Sequence, residues 1–147
     1  MRLPPRIKVL EALGALADGR VKAIGEREAV VTSSEGDRKY KVHVDLSKRV
    51  AYSDDNGTIY KGYVGYPIIS FLMLKGVLPI DERLKDALKG IPWRRLNEYY
   101  KKYEAVMEVI KRDLADRGIE PAYVDKYIDE ILAKLKRLGL KFARPAA

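Results

Sequence analysis

The stretch Tyr66–Leu74, YPIISFLML, dictates much of what must surround it. Ile68, Ile69, Phe71, Leu72, Met73 and Leu74 leave a helix with no polar face, and such a helix is covered on all sides by the rest of its fold. It is far shorter than the roughly 20 residues of a membrane span. The cover is legible upstream. Tyr40, Val42, Val44 and Leu46 alternate with Lys39, Lys41, His43 and Asp45, which gives a strand with one apolar and one wet face. Val21–Ile24 and Ala29–Thr32 are shorter β runs, and Ser33–Asp37 is a turn. Arg49–Tyr52 and Thr58–Tyr63 flank Asp54-Asp55-Asn56-Gly57. Asn-Gly between two β runs signals a hairpin, because both residues accept positive φ. The pattern predicts an antiparallel meander of four or five strands.

Helical periodicity brackets this region. Ile7, Leu10, Leu13 (or Gly14) and Leu16 follow Pro4-Pro5 and precede Gly19, the pattern of an N-terminal amphipathic helix. Asp81 can cap a small helix carrying Leu84 and Leu88. Pro92 opens the longest predicted helix, to about Arg117, with Trp93, Leu96, Tyr99 or Tyr100, Tyr103, Val106 or Met107, Ile110 and Leu114 on one stripe. Pro121 opens a last helix with Val124, Ile128, Ile131, Leu135 and Leu138. The short Gly-Ile-Glu-Pro joint makes the two an antiparallel helical hairpin. The expected class is α+β: an N-terminal helix, an antiparallel β-meander with one buried helix, and a C-terminal helical hairpin. Residues 1–90 form the α+β domain, 91–142 the hairpin packed on it or on a partner, and 143–147 a loose tail.

Several chemistries are excluded or weakly supported. There is no cysteine, which removes disulfides, iron–sulfur clusters, Cys-type zinc sites and thiol catalysis together. His43 is the only histidine, on the wet face of its strand, where it is a general base, a phosphate contact or simply an exposed polar residue. Asp54 and Asp55 form an acid–base pair, a divalent-cation site, or turn residues bonded to their own backbone. No Walker A or GxGxxG motif is present. Gly62-Tyr63-Val64-Gly65 is a GxxG, but a strand precedes it where the KH loop would need a helix. The expectation is a protein that is not an enzyme and takes no cofactor or metal. No apolar run reaches membrane length, and the first residues lack the long apolar region of a signal peptide, so a cytoplasmic protein without a membrane partner is expected.

The formal charge is +8. Twelve basic and nine acidic residues fall in 1–65, against seventeen and twelve in 66–147, so the excess is spread along the chain. The absence of glutamine, the presence of only Asn56 and Asn97, and the many Lys, Arg and Glu match hyperthermophile compositions. Basic residues interleave with aromatics in two places. Arg38, Lys39, Lys41, His43, Lys48, Arg49 and Lys61 lie near Tyr52, Tyr60, Tyr63 and Tyr66. Arg94, Arg95, Lys101 and Lys102 form a second group. Lysines hold phosphates and tyrosines stack on bases. The candidate nucleic-acid-binding residues are therefore Arg38, Lys39, Lys41, His43, Lys48, Arg49, Lys61, Tyr63, Arg94 and Arg95. The alternatives are that the tyrosines pack inside and the lysines are merely solvated, or that the tyrosine-rich hairpin docks on a protein partner or a second copy.

Within residues 29–76, VTSSEGDRKYKVHVD, AYSDD and GYPIISFLML together resemble the SWIM family of small zinc fingers. In that family a strand of the type V-x-S…Y-x-V leads to Cys-x-Cys with a following Asp, then Cys-x-His and an apolar helix. Val31–Ser33 and Tyr40–Val42 match the strands, Asp55 the trailing Asp, and Ile68–Leu74 the helix. The four ligand positions fall on Ala51, Ser53, Gly65 and Pro67, none of which binds zinc in the usual way. The resemblance implies a metal-free, non-catalytic module for DNA or protein binding.

Overall fold

The computed structural model describes residues 1–146. The chain is α+β, with seven helices and a five-stranded sheet among the described residues. Helix α1 (Ile7–Ala17) precedes strands β1 (Val21–Ala23), β2 (Glu28–Thr32), β3 (Lys39–Asp45) and β4 (Val50–Ser53). Helices α2 (Asn56–Lys61), α3 (Tyr66–Leu74) and α4 (Glu82–Ala87) follow, then α5 (Trp93–Tyr100), α6 (Tyr103–Asp116), α7 (Pro121–Leu138) and the two-residue strand β5 (Lys141–Phe142). Strands β1 to β4 form the expected antiparallel meander in sequential order.

The alternation in β3 decides which face is buried. Val42 and Val44 turn inward with Val31 and Ala51, while Lys39 and Lys41 turn to solvent. The inner face meets α3, in which Ile68, Ile69 and Leu72 are completely buried, as its lack of a polar face requires. α1 lies on the other side of α3, and the α6–α7 hairpin packs on α1. One continuous core runs through all of these, from Val31 and Val44 to Ile110, Ile131 and Leu135. Arg6 before α1 joins Asp125 and Asp129 of α7 at 3.0 and 2.7 Å, and Lys111 of α6 reaches the same Asp125 at 2.7 Å. The hydrogen bond from Lys111, with that from Arg6, holds the Asp125 carboxyl below the usual carboxylate range despite partial burial.

Three expectations are corrected. Thr58–Tyr63 is not a strand, and Asn56-Gly57 is not a hairpin turn. Asp55 accepts from the Thr58 amide at 3.1 Å and starts a helix instead, which Gly62 ends in the left-handed region at φ 70°. Asp-Asn is as good a helix start as a turn, and the buried Asp55 side chain decides between them. The helix from Pro92 is broken. Lys101 stands at φ 63°, so α5 and α6 are separate, although no Gly or Pro marks the joint. The expected loose tail, 143–147, is tied at its first residue, where the Ala143 amide donates to Ala51; just before it, Lys141–Phe142 adds as a parallel strand to β4 and the Met1 ammonium donates to Leu140. Ala147, the end of that tail, lies outside the described residues.

Gly14 of α1 serves close packing. A Cβ built there would lie 2.5 Å from Trp93 Nε1 and 3.1 Å from Cε2, atoms of a buried and rigid indole. Gly14→Ala gains up to ~1 kcal/mol of helix propensity but overpacks the α1–α5 contact by ~1–3 kcal/mol. Thermal unfolding of this variant is expected several degrees below the parent. An equal or higher midpoint would show that the indole has room to move.

Candidate functional site

The candidate residues divide between two surfaces. The outer face of the sheet carries Lys39, Lys41 and His43. His43 is only partly exposed, is hydrogen-bonded through Nδ1 to Glu28, and stands opposite Tyr52 in the ladder. Tyr52 meets Phe142 at 5.7 Å between ring centroids, and the Arg144 guanidinium lies over both rings at 5.4 and 5.7 Å. Lys48 and Arg49 sit in the exposed turn before β4. Arg95 is exposed on α5, 3.9 Å from Glu35.

The second surface is a cleft of about 600 Å³ between α1, the β2–β3 turn, α2 and α5. It gathers Arg38, Lys61, Tyr63 and Arg94 from the sequence-derived set and adds Lys8, Glu11, Arg20, Asn97, Lys101 and Tyr103. Its floor is polar. Glu11 is 3% exposed, and its Oε2 lies 2.7 Å from Lys8 Nζ while Oε1 accepts from Asn97 Nδ2 at 2.7 Å. Burial works against the Lys8 charge, but the Glu11 carboxylate outweighs it and raises the ammonium above its ordinary range. Lys8 also sits 4.7 Å over the Tyr103 ring. Burial pushes the Tyr63 hydroxyl well above its ordinary value, reinforced by the neighbouring Tyr103, and burial alone dominates the similar rise at Tyr66. Tyr63 therefore forms wall, its ring filling the space a side chain at Gly57 would need.

The cleft cations are not equivalent. Arg94 is committed to Asp37 at 2.6 Å, and its amide donates to Ser34, so it ties α5 to the β2–β3 turn. The hydrogen bond from the Arg94 guanidinium holds Asp37 well below the usual carboxylate range. Arg20 donates to the Thr32 carbonyl and meets Asp18. Arg38, Lys61 and Lys101 make no ion pair among the described residues. Lys101 adopts a left-handed conformation that costs a non-glycine residue roughly 1–2 kcal/mol.

Glu11, Lys8 and Asn97 are not among the candidates that the sequence offers. The signal was available: Glu11 falls four residues after Ile7 and three before Gly14, on the apolar stripe of α1, where an acidic residue is out of place. Asp54 and Asp55 do not pair as acid and base. Asp54 accepts from the Lys41 amide at 2.9 Å, and Asp55 caps α2.

At the positions where the zinc-finger resemblance places metal ligands, Ala51 and Ser53 are buried and Gly65 packs against Asp55. A hydrogen-bonded corner occupies the space: Thr58 Oγ1 donates to Asp55 Oδ1 at 2.8 Å and accepts from the Gly65 amide at 3.2 Å. No cluster of three or more His, Cys, Asp or Glu suited to a metal occurs among the described residues. No helix among them is long and apolar enough to cross a membrane.

No curated protein and no solved structure matches the chain. The family model described as Uncharacterised conserved protein UCP014422 spans residues 1–141, from the N-terminus to the first residue of β5, and the chain belongs to that family.

Proposed function

We propose that the protein is a non-catalytic, nucleic-acid-associated binding protein whose ligand strand lies along the cleft rim. The observation that carries this reading is the convergence of Arg38 from the β2–β3 turn, Lys61 of α2 and Lys101 from the α5–α6 joint on one tyrosine-lined cleft, without carboxylate partners among the described residues. Cations left unpaired are available to phosphates, and release of counterions from the strand then supplies affinity. The Lys39 and Lys41 face, with the Tyr52–Phe142–Arg144 group, extends the positive surface and offers aromatic faces for stacking.

Titration of a fluorescein-labelled single-stranded 20-mer by anisotropy tests this. Binding in the range of about 10⁻⁴ to 10⁻⁶ M is expected at physiological salt, and three phosphate contacts give a log–log salt slope of about −2. Affinity then falls roughly twentyfold between 50 and 200 mM salt. An absence of binding at 50 mM salt and tens of micromolar protein refutes the reading.

A second reading is a protein adaptor. One observation favours it: Tyr99 is 78% exposed and packs edge-on against Tyr100 at 4.8 Å. The apolar stripes of α6 and α7 are already buried in the core, so docking would rest on these tyrosines. A concentration-dependent mass in light scattering, abolished by Tyr99→Ser, would support it over the first reading.

A further inference from the structure

We infer that the ligand is a single strand whose unpaired bases stack on the outer face of the sheet, on Tyr52 and Phe142, while its phosphates follow the lysines of that face. The inference deepens the nucleic-acid reading and rests on it. The fold leaves this face open. Helix α3 covers the inner side, and strand alternation sends the remaining side chains outward in rows set by the register. Lys39 stands in one row. Lys22 and Lys41 share the next, with Val30 between them, and His43 stands opposite Tyr52 in the third. Phe142 of β5 lies against Tyr52, with 5.7 Å between ring centroids, and is 42% exposed.

The chemistry of the face suits a single strand better than a duplex. Lys22, Lys39 and Lys41 are exposed and make no ion pair among the described residues. Two carboxylates border them, and both are engaged: Glu28 with His43, and Asp54 with the Lys41 amide. Unpaired cations beside aromatic rings match the two parts of a single strand, phosphates for the one and base faces for the other. A duplex keeps its base faces stacked inside and offers this surface only phosphates. The rings are within reach of a planar group, because the Arg144 guanidinium lies over both, at 5.4 and 5.7 Å. A cation over a ring at an exposed site is a weaker contact than a stacked base, so a base displaces it. The face is also continuous with the cleft rim. Arg38 lines the cleft and Lys39 begins β3 on the outer side, so a strand leaving the rim at Arg38 meets Lys39 next.

Three fluorescein-labelled probes of equal length test this by anisotropy against the full chain at physiological salt: an oligothymidylate 20-mer, an abasic 20-mer with the same phosphates, and a duplex. The oligothymidylate is expected to bind about tenfold more tightly than the abasic strand, and more tightly than the duplex. Tyr52→Leu and Phe142→Leu keep an apolar side chain but remove the ring. Each weakens the oligothymidylate about tenfold and leaves the abasic strand unchanged. Tyr52→Phe retains full affinity, since the ring and not the hydroxyl carries the contact. Phe142 is exposed in a strand of two residues, so its variant still reads binding should Tyr52→Leu be destabilised. If the abasic strand or the duplex binds as tightly as the oligothymidylate and both leucine variants are neutral, the stacking face is refuted and the rim reading stands. If the leucine variants weaken binding while Lys61→Ala and Lys101→Ala do not, the face stands and the rim reading fails. No binding of any probe at 50 mM salt and tens of micromolar protein refutes both. Self-association abolished by Phe142→Leu, with the three probes bound alike, would make the face a contact between copies and overturn the proposal.

Discussion

Raising the pH from 9 to 11.5 is expected to remove about 6 kcal/mol of folding stability, enough to unfold a typical domain. The cause is three phenols shielded from water, Tyr63 and Tyr127 buried and Tyr66 partly buried. Tyr63, Tyr66 and Tyr127 are each held well above the ordinary value of 10, with burial as the leading cause in every case. Tyr127 is further fixed by donating to the Pro79 carbonyl at 2.7 Å. A group whose native pKa is raised contributes stability that is intact below its unfolded pKa. That stability is lost as pH climbs from there toward the native pKa, because only the unfolded chain releases the proton. Above pH 10 each phenol therefore costs about 1.4 kcal/mol per pH unit, and three together cost about 4. Lys8 acts in the same sense at higher pH, since Glu11 raises its ammonium in spite of burial. Denaturant melts at pH 8, 10, 11 and 11.5 measure the slope, and absorbance at 295 nm follows the phenolates. A subset of the ten tyrosines should ionise only together with unfolding. Tyr66→Phe should flatten the stability slope by about a third. A flat profile to pH 11.5, or phenolates that all form in the folded state, would show that these rings are not sealed.

Much of this architecture is legible in the sequence because it rests on burial periodicity. The all-round apolar Ile68–Met73 could only be a covered helix, although Leu74 at its end is exposed, and the alternation of Lys39–Val44 shows which strand face is wet until it breaks down at Asp45, which is buried, and Leu46, which is exposed. Misreadings occurred where one tertiary contact outweighs a local signal. Asp54-Asp55-Asn56-Gly57 carries turn chemistry and helix-start chemistry at once, and the choice depends on Asp55 finding Thr58 and Gly65 in a buried corner. The break at Lys101 has no breaker residue; α5 reaches α1 through Trp93 against Gly14, and α6 packs on α1 separately. The cleft was half visible. Arg38, Lys61, Tyr63 and Arg94 were among the candidates, but nothing local joins residue 38 to residues 61 and 101. Their meeting is a product of the fold. So is the separation of Arg38 from its neighbours Lys39 and Lys41, which the strand sends to the outer face.

Gly65→Ala is expected to cost ~2–4 kcal/mol and to lower the thermal midpoint by roughly 6–12 °C. Gly65 has φ −71°, open to any residue, so its need for glycine is spatial. An added Cβ would lie 2.3 and 2.6 Å from the two Asp55 oxygens and 2.7 Å from Thr58 Oγ1. Those three atoms are the corner that starts α2, receives the Gly65 amide and sets the entry to α3. Relieving the clash moves the carboxylate off the Thr58 amide, a cap worth ~1 kcal/mol, and leaves buried donors unpaired. Gly62→Ala is the contrasting case: its site is open but its φ is 70°, so it should lose only ~1 kcal/mol, through the backbone alone. The double-mutant cycle isolates the clash. Asp55→Ala removes the cap and also makes room for the new methyl group, so Gly65→Ala in that background should cost ~1–2 kcal/mol less than in the parent. Additive losses would mean that Gly65 and Asp55 do not share this corner. A coupling of the expected sign would show that a carboxylate–hydroxyl–amide network joins β4, α2 and α3 in the corner where the zinc-finger resemblance places its ligands.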